Sequence, residues 1–131
     1  MTSKVVYLGV LRTECTHIQS GTKIITDAPL DNQGKGEAFS PTDLLATSLA
    51  SCMMTIIGIY CKNHEINFDS CTAEIEKIMG VNPRKVAKII VHMDFTGNNW
   101  DSFTLEKVII AGKTCPVAKT IEDSVQIEFN F

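Results

Sequence analysis

Ser40-Pro41-Thr42-Asp43-Leu44-Leu45-Ala46-Thr47-Ser48-Leu49-Ala50-Ser51-Cys52 opens the stretch that decides the fold of this chain. Ser40 is a natural helix N-cap, Pro41 suits the first helical position, and Asp43 stands where a capping box needs its acid. The helix is expected to run to about Lys62-Asn63. From Leu44 to Cys61 it carries eighteen residues without a charge, which meets the length needed to cross a bilayer. Thr47, Ser48, Ser51, Thr55 and Gly58 interrupt that run, and strand patterns of soluble type follow it. A helix apolar on every side is then the buried spine of a compact fold or of a dimer. No membrane partner is expected.

Upstream, Lys4 to Arg12 is rich in Val, Leu and Tyr and reads as a strand. Glu14 to Gln19 and Thr22 to Thr26 read as two more, joined through Ser20-Gly21 as a hairpin. Asp27 to Phe39 holds Pro29, Asp31, Asn32, Gly34 and Gly36, the composition of a mobile surface loop leading into the helix. Downstream, Cys71 to Met79 and Val86 to Phe95 are separated by Gly80-Val81-Asn82-Pro83-Arg84. Ala87, Ile89, Val91, Met93 and Phe95 alternate with Lys88, His92 and Asp94, the period of a half-buried strand. After Gly97-Asn98-Asn99, Asp101 or Ser102 caps a helix to Ala111 with Gly112 as its stop. Pro116 to Glu122 reads as a short helix, and Val125, Ile127, Phe129 and Phe131 mark a final strand. The order implies an α+β class, and 131 residues suit a single domain, 1–131.

A composition of 44% hydrophobic and 21% charged residues is globular, and a net charge of −3 argues against nucleic acid as a partner. Met1-Thr2-Ser3-Lys4 leads straight into a strand-like run, so no signal peptide is expected and the reading places the chain in the cytoplasm. The five cysteines, Cys15, Cys52, Cys61, Cys71 and Cys115, are then buried or reactive rather than stapled. No Cys-x-x-Cys occurs, and His17, His64 and His92 are scattered, so no metal is expected. Met53, Met54 and Ile56 suit a core or interface better than a cofactor site, and no cofactor is expected.

Cys52 and Cys115 are the candidate reactive pair. Cys115 precedes Pro116 at a helix N-terminus, where the dipole favours a thiolate. Cys52 lies about three turns into its helix and needs an outside cation. Arg12 and Arg84 are the only arginines; Arg12 ends the first strand and is the better candidate, whereas Arg84 sits in a turn. Against this stands the ordinary role of a cysteine on an apolar helix, that of a small core residue. Cys15, Cys61 and Cys71 read that way; Cys61, about 900° of rotation beyond Cys52, faces the opposite side.

Taken together, Ser40-Pro41-Thr42-Asp43-Leu44-Leu45 through Ala50-Ser51-Cys52, with Cys115-Pro116-Val117 about sixty residues later, resemble the OsmC/Ohr family of osmotically inducible and organic hydroperoxide resistance proteins. The resemblance covers nearly the whole chain. It implies an intertwined homodimer, antiparallel sheets wrapped around a long central helix, and sites at the subunit interface. It also implies that Cys52 attacks an organic hydroperoxide to give a sulfenic acid, that Cys115 closes a disulfide with it, and that a dithiol of lipoyl type reopens the bond. Peroxidase members carry a Glu ten residues before the first cysteine to orient the catalytic Arg; here that position is Thr42. Asp43 and Glu37 are the candidate replacements, Asp43 being also the capping acid. The alternative is an OsmC-like dimer without peroxidase activity that binds a small apolar ligand at its interface.

Overall fold

A computed structural model describes residues 1–131, which divide into two compact units, Met1–Leu45 and Ala46–Phe131. The first holds a three-stranded antiparallel sheet in the order β1 (Ser3–Gly9), β2 (Arg12–His17), β3 (Lys23–Asp27). The first strand is shorter than its composition suggests. Val10 and Leu11 both take positive φ, 51° and 61°, and turn the chain, so Arg12 opens β2 instead of closing β1. Apolar residues seldom adopt that conformation, and only Gly9, itself at positive φ of 86°, marks the turn in the sequence. β1 is an edge strand with Val5, Val6, Tyr7 and Leu8 all exposed, so both of its faces carry uncovered apolar side chains.

The loop after β3, expected to be mobile, is held by its own backbone. A 3-10 turn at Leu30–Asn32 is followed by amides of Gly34 and Gly36 that donate to the carbonyls of Pro29 and Ala28 at 2.9 and 3.2 Å. Gly34 is obligatory there, since a Cβ would fall 1.7 Å from the Ala28 carbonyl oxygen. Helix α1 (Pro41–Asn63) begins as its sequence requires. The Ser40 amide donates to Asp43 Oδ2 at 2.9 Å and the Asp43 amide donates to Ser40 Oγ at 3.1 Å, a reciprocal capping box.

In the second unit α1 supplies the core with Leu49, Met53, Ile57 and Cys61, at the i, i+4 spacing of one helix face. Strands β4 (Thr72–Gly80), β5 (Lys85–Asp94) and β6 (Gln126–Asn130) form a sheet in that order. β5 buries Ile89, Val91 and Met93 and exposes His92 and Asp94, the alternation expected from its sequence. β4 and β5 pair antiparallel, but β5 and β6 are parallel and therefore need a crossover. Helices α2 (Ser102–Gly112) and α3 (Pro116–Ile121) provide it, placing Val108, Cys115 and Ala118 in the same core. The apolar run of α1 is thus the spine of an α+β fold with two small sheets.

Asp101 caps α2 as expected, accepting from the Thr104 amide at 2.7 Å. Gly112 does not act as a left-handed stop; it is the last residue of α2, and the following Lys113 is right-handed. Its small size serves packing instead, because a Cβ there would lie 2.9 Å from Ile57 Cδ1.

Candidate functional site

Cys52 lies on the middle of α1 and is partly exposed, while Cys115 is the N-cap of α3 and fully buried. The two thiols are neighbours, near enough for the Cys52 sulfur to act on the Cys115 thiol. Cys115 is pinned from several directions. Its amide donates to the Gly112 carbonyl, its carbonyl accepts from the Lys119 amide, and its Sγ accepts from the Ala118 amide at 3.3 Å. The N-cap position agrees with the sequence, but the expectation that it favours a thiolate does not. Burial pushes the Cys115 thiol up, the adjacent Cys52 sulfur pushes it further, and the Ala118 and Val117 amides offset only part of this. A six-residue helix has too little dipole to win against complete burial. Cys115 is therefore held as the S–H partner of Cys52.

The other cysteines have different surroundings. Cys61 is buried in the core and its thiol is pushed up by desolvation; Cys71 is pushed up by burial and then by Asp94. Cys15, on β2, lies 3.8 Å from Thr13 Oγ1.

Arg12 and Glu37 come together within the first unit through a residue the sequence did not single out. Arg12 grips Asp27 in a fork, Nε to Oδ1 at 2.7 Å and Nη2 to Oδ2 at 2.8 Å, and reaches Glu37 Oε2 at 3.2 Å. Asp27 is 1% exposed and also accepts from the Glu37 amide at 3.1 Å, whereas Glu37 is 62% exposed. The buried fork is the strong contact and the exposed one adds little. Asp43 is engaged in the α1 cap. The cross-strand register sets Arg12 opposite Asp27, so a count back from the β2–β3 turn is the signal that would have found the pair.

The Arg12 guanidinium holds the Asp27 carboxyl below its ordinary range. A depressed carboxyl stabilises the fold above its unfolded pKa, about 3.9, and this is lost as pH falls through the lower folded value. Asp27→Asn is expected to lower the urea midpoint at pH 7. The gap from the parent should narrow as both are titrated below about pH 4. A gap independent of pH would show that the ion pair is not its source.

A groove of about 460 Å³ lies in the second unit between α1 and α2. Ile56, Ile59 and Tyr60 form one wall, on the face of α1 that also carries Cys52; Ile110, Ala111 and Thr114 form the other, ending next to Cys115.

The family model described as OsmC-like protein matches residues 34–130. The chain belongs to the OsmC-like family. A candidate osmotic stress induced and detoxification response protein from Psychrobacter arcticus is 51% identical to this OsmC-like chain. Its crystal structure superposes with a TM-score of 0.93, over 99% of this chain and 94% of that one. The organic hydroperoxide resistance protein OsmC from Legionella pneumophila is 19% identical, with a TM-score of 0.78 over 99% and 96% of the two chains. OhrB of Bacillus subtilis, an organic hydroperoxide resistance protein, is 17% identical, with a TM-score of 0.67 over 99% and 97%. These two share the fold. No protein of curated function matches the chain in sequence.

Proposed function

We propose that this OsmC-like chain is a thiol-dependent peroxidase for organic hydroperoxides, with Cys52 as the attacking thiol and Cys115 as the resolving one. The observation that carries the reading is the proximity of a partly exposed thiol on α1 to a buried, pinned thiol at the start of α3. The Cys52 thiolate attacks the terminal oxygen of ROOH; the O–O bond breaks, RO⁻ takes a proton and leaves as ROH, and Cys52 becomes a sulfenic acid. Cys115 then attacks that sulfur, the S–O bond breaks, water departs and a disulfide remains. A dithiol reduces the disulfide and is itself oxidised. Cys115, kept protonated, does not compete for peroxide, and this separates the two roles.

The family resemblance, rather than a contact, enlists Arg12 as the cation for Cys52. Asp27, with Glu37, supplies Arg12 with the carboxylate that Thr42 lacks. The homodimer is part of the same proposal, supported by the exposed apolar residues and the open edge of β1. The groove on the Cys52 face of α1, one helical turn beyond that residue, suits the organic part of the peroxide, each buried methylene contributing about 0.8 kcal/mol. The same groove favours the second reading, an apolar ligand bound without chemistry.

Hydroperoxide consumption in the presence of a dithiol separates the two readings. Cumene hydroperoxide is expected to disappear catalytically and faster than hydrogen peroxide, which has no organic group to bury. Consumption no faster than with dithiol alone would leave the ligand-binding reading.

A further inference from the structure

We propose that the reductant which reopens the Cys52–Cys115 disulfide attacks the sulfur of Cys52, so that Cys115 is always the leaving thiol. The inference rests on reading the two thiols as a redox couple, and it concerns the half of the cycle after the disulfide has formed. A disulfide has two sulfurs, and thiol exchange goes to the one that a thiolate can reach and whose partner can leave. The two sulfurs here differ in reach. Cys52 is partly exposed on α1, whereas Cys115 is 0% exposed and packed among core residues that include Ala118 and Val108. The backbone of Cys115 cannot swing the sulfur outward without breaking its hydrogen bonds to Gly112 and Lys119.

The leaving side is also provided for. When the S–S bond breaks, its electron pair stays on Cys115 Sγ, the atom that already accepts from the Ala118 amide at 3.3 Å. That donor waits at the departing sulfur and needs no rearrangement to receive it. The thiolate then takes a proton from water, as its buried surroundings require. The attacking sulfur remains bonded to Cys52 as a mixed disulfide. The second thiol of the dithiol displaces it, releasing Cys52 and a cyclic disulfide; two electrons pass from the dithiol to the protein pair. The reverse order would place a mixed disulfide on Cys115, in a site with no room for it.

The test begins from protein oxidised with diamide, which accepts two hydrogens from a dithiol and makes the disulfide without any peroxide. Limiting 2-mercaptoethanol, small enough that bulk does not bias the choice, is added for seconds; the mixture is quenched in acid and unfolded, and N-ethylmaleimide then caps the released thiol. Peptide mapping then locates the adduct. It is expected on Cys52, with the maleimide on Cys115, in at least tenfold excess over the reverse. Equal labelling, an adduct mainly on Cys115, or failure of diamide to link the pair would overturn the inference. If diamide links the pair and the adduct maps to Cys52, yet organic hydroperoxide forms no disulfide, the peroxidase reading fails and this inference stands.

Discussion

Cys52→Ser is expected to lower kcat/KM for organic hydroperoxide by on the order of 10³-fold or more, because a serine hydroxyl does not supply the thiolate that cleaves the O–O bond. Cys115→Ser should behave differently. One equivalent of peroxide is consumed rapidly, turnover stalls, and a sulfenic acid accumulates on Cys52 that dimedone captures. Cys61, the other cysteine of α1, is not placed to rescue the second step. Cys61 is on the opposite side of α1, buried in the core, and its thiol is pushed up by desolvation. Stopped-flow consumption and intact mass distinguish the variants. If both lose activity equally from the first turnover, the division of roles between the two cysteines is wrong.

Ile57→Ala is expected to destabilise the fold by about 2–5 kcal/mol, the largest stability effect of a single truncation argued from this structure. Ile57 is fully buried where α1 packs on α2, with Gly112 facing it. A Cβ on Gly112 would sit 2.9 Å from Ile57 Cδ1 and 3.1 Å from Cγ1, so the Ile57 side chain fills the space between the helices and its truncation leaves a cavity there. Ile57→Val, which removes the Cδ1 methyl, should cost only about 0.5–1.5 kcal/mol and should relieve part of the clash created by Gly112→Ala. Urea unfolding of the three single variants and of the Ile57→Val/Gly112→Ala double variant measures both. A cost below about 1 kcal/mol for Ile57→Ala would mean that the two helices do not meet as tightly as described.

The central helix was legible because its start obeys local rules: Ser40 and Asp43 form the cap their spacing suggests, and one face of the uncharged run after it became core while Leu45 and Ile59 stay exposed. The strands of the second unit were legible to within a residue or two, since alternation in β5 follows from one face being buried. Arg12 belongs to β2 because Gly9, Val10 and Leu11 all take positive φ and turn the chain; within an apolar run, a single Gly is the only mark of that turn. From the sequence alone Asp27 is the start of a loop. Its importance is a tertiary fact, a carboxylate buried by pairing across two strands. Gly112 looked like a helix stop and is a packing residue, because the reason for its size lies on another helix. The Cys115 thiol was expected to be acidified by the helix end, and burial, which no local pattern reports, reversed the direction.

The central claim is that Cys52 and Cys115 form one peroxide-reactive couple. Fully reduced protein mixed with one equivalent of cumene hydroperoxide, quenched over seconds and analysed by intact mass and peptide mapping, tests it most directly. The account predicts the loss of two hydrogens, mapped to a Cys52–Cys115 disulfide and formed faster than with hydrogen peroxide. An unchanged mass over minutes, or a disulfide joining other cysteines, would contradict it.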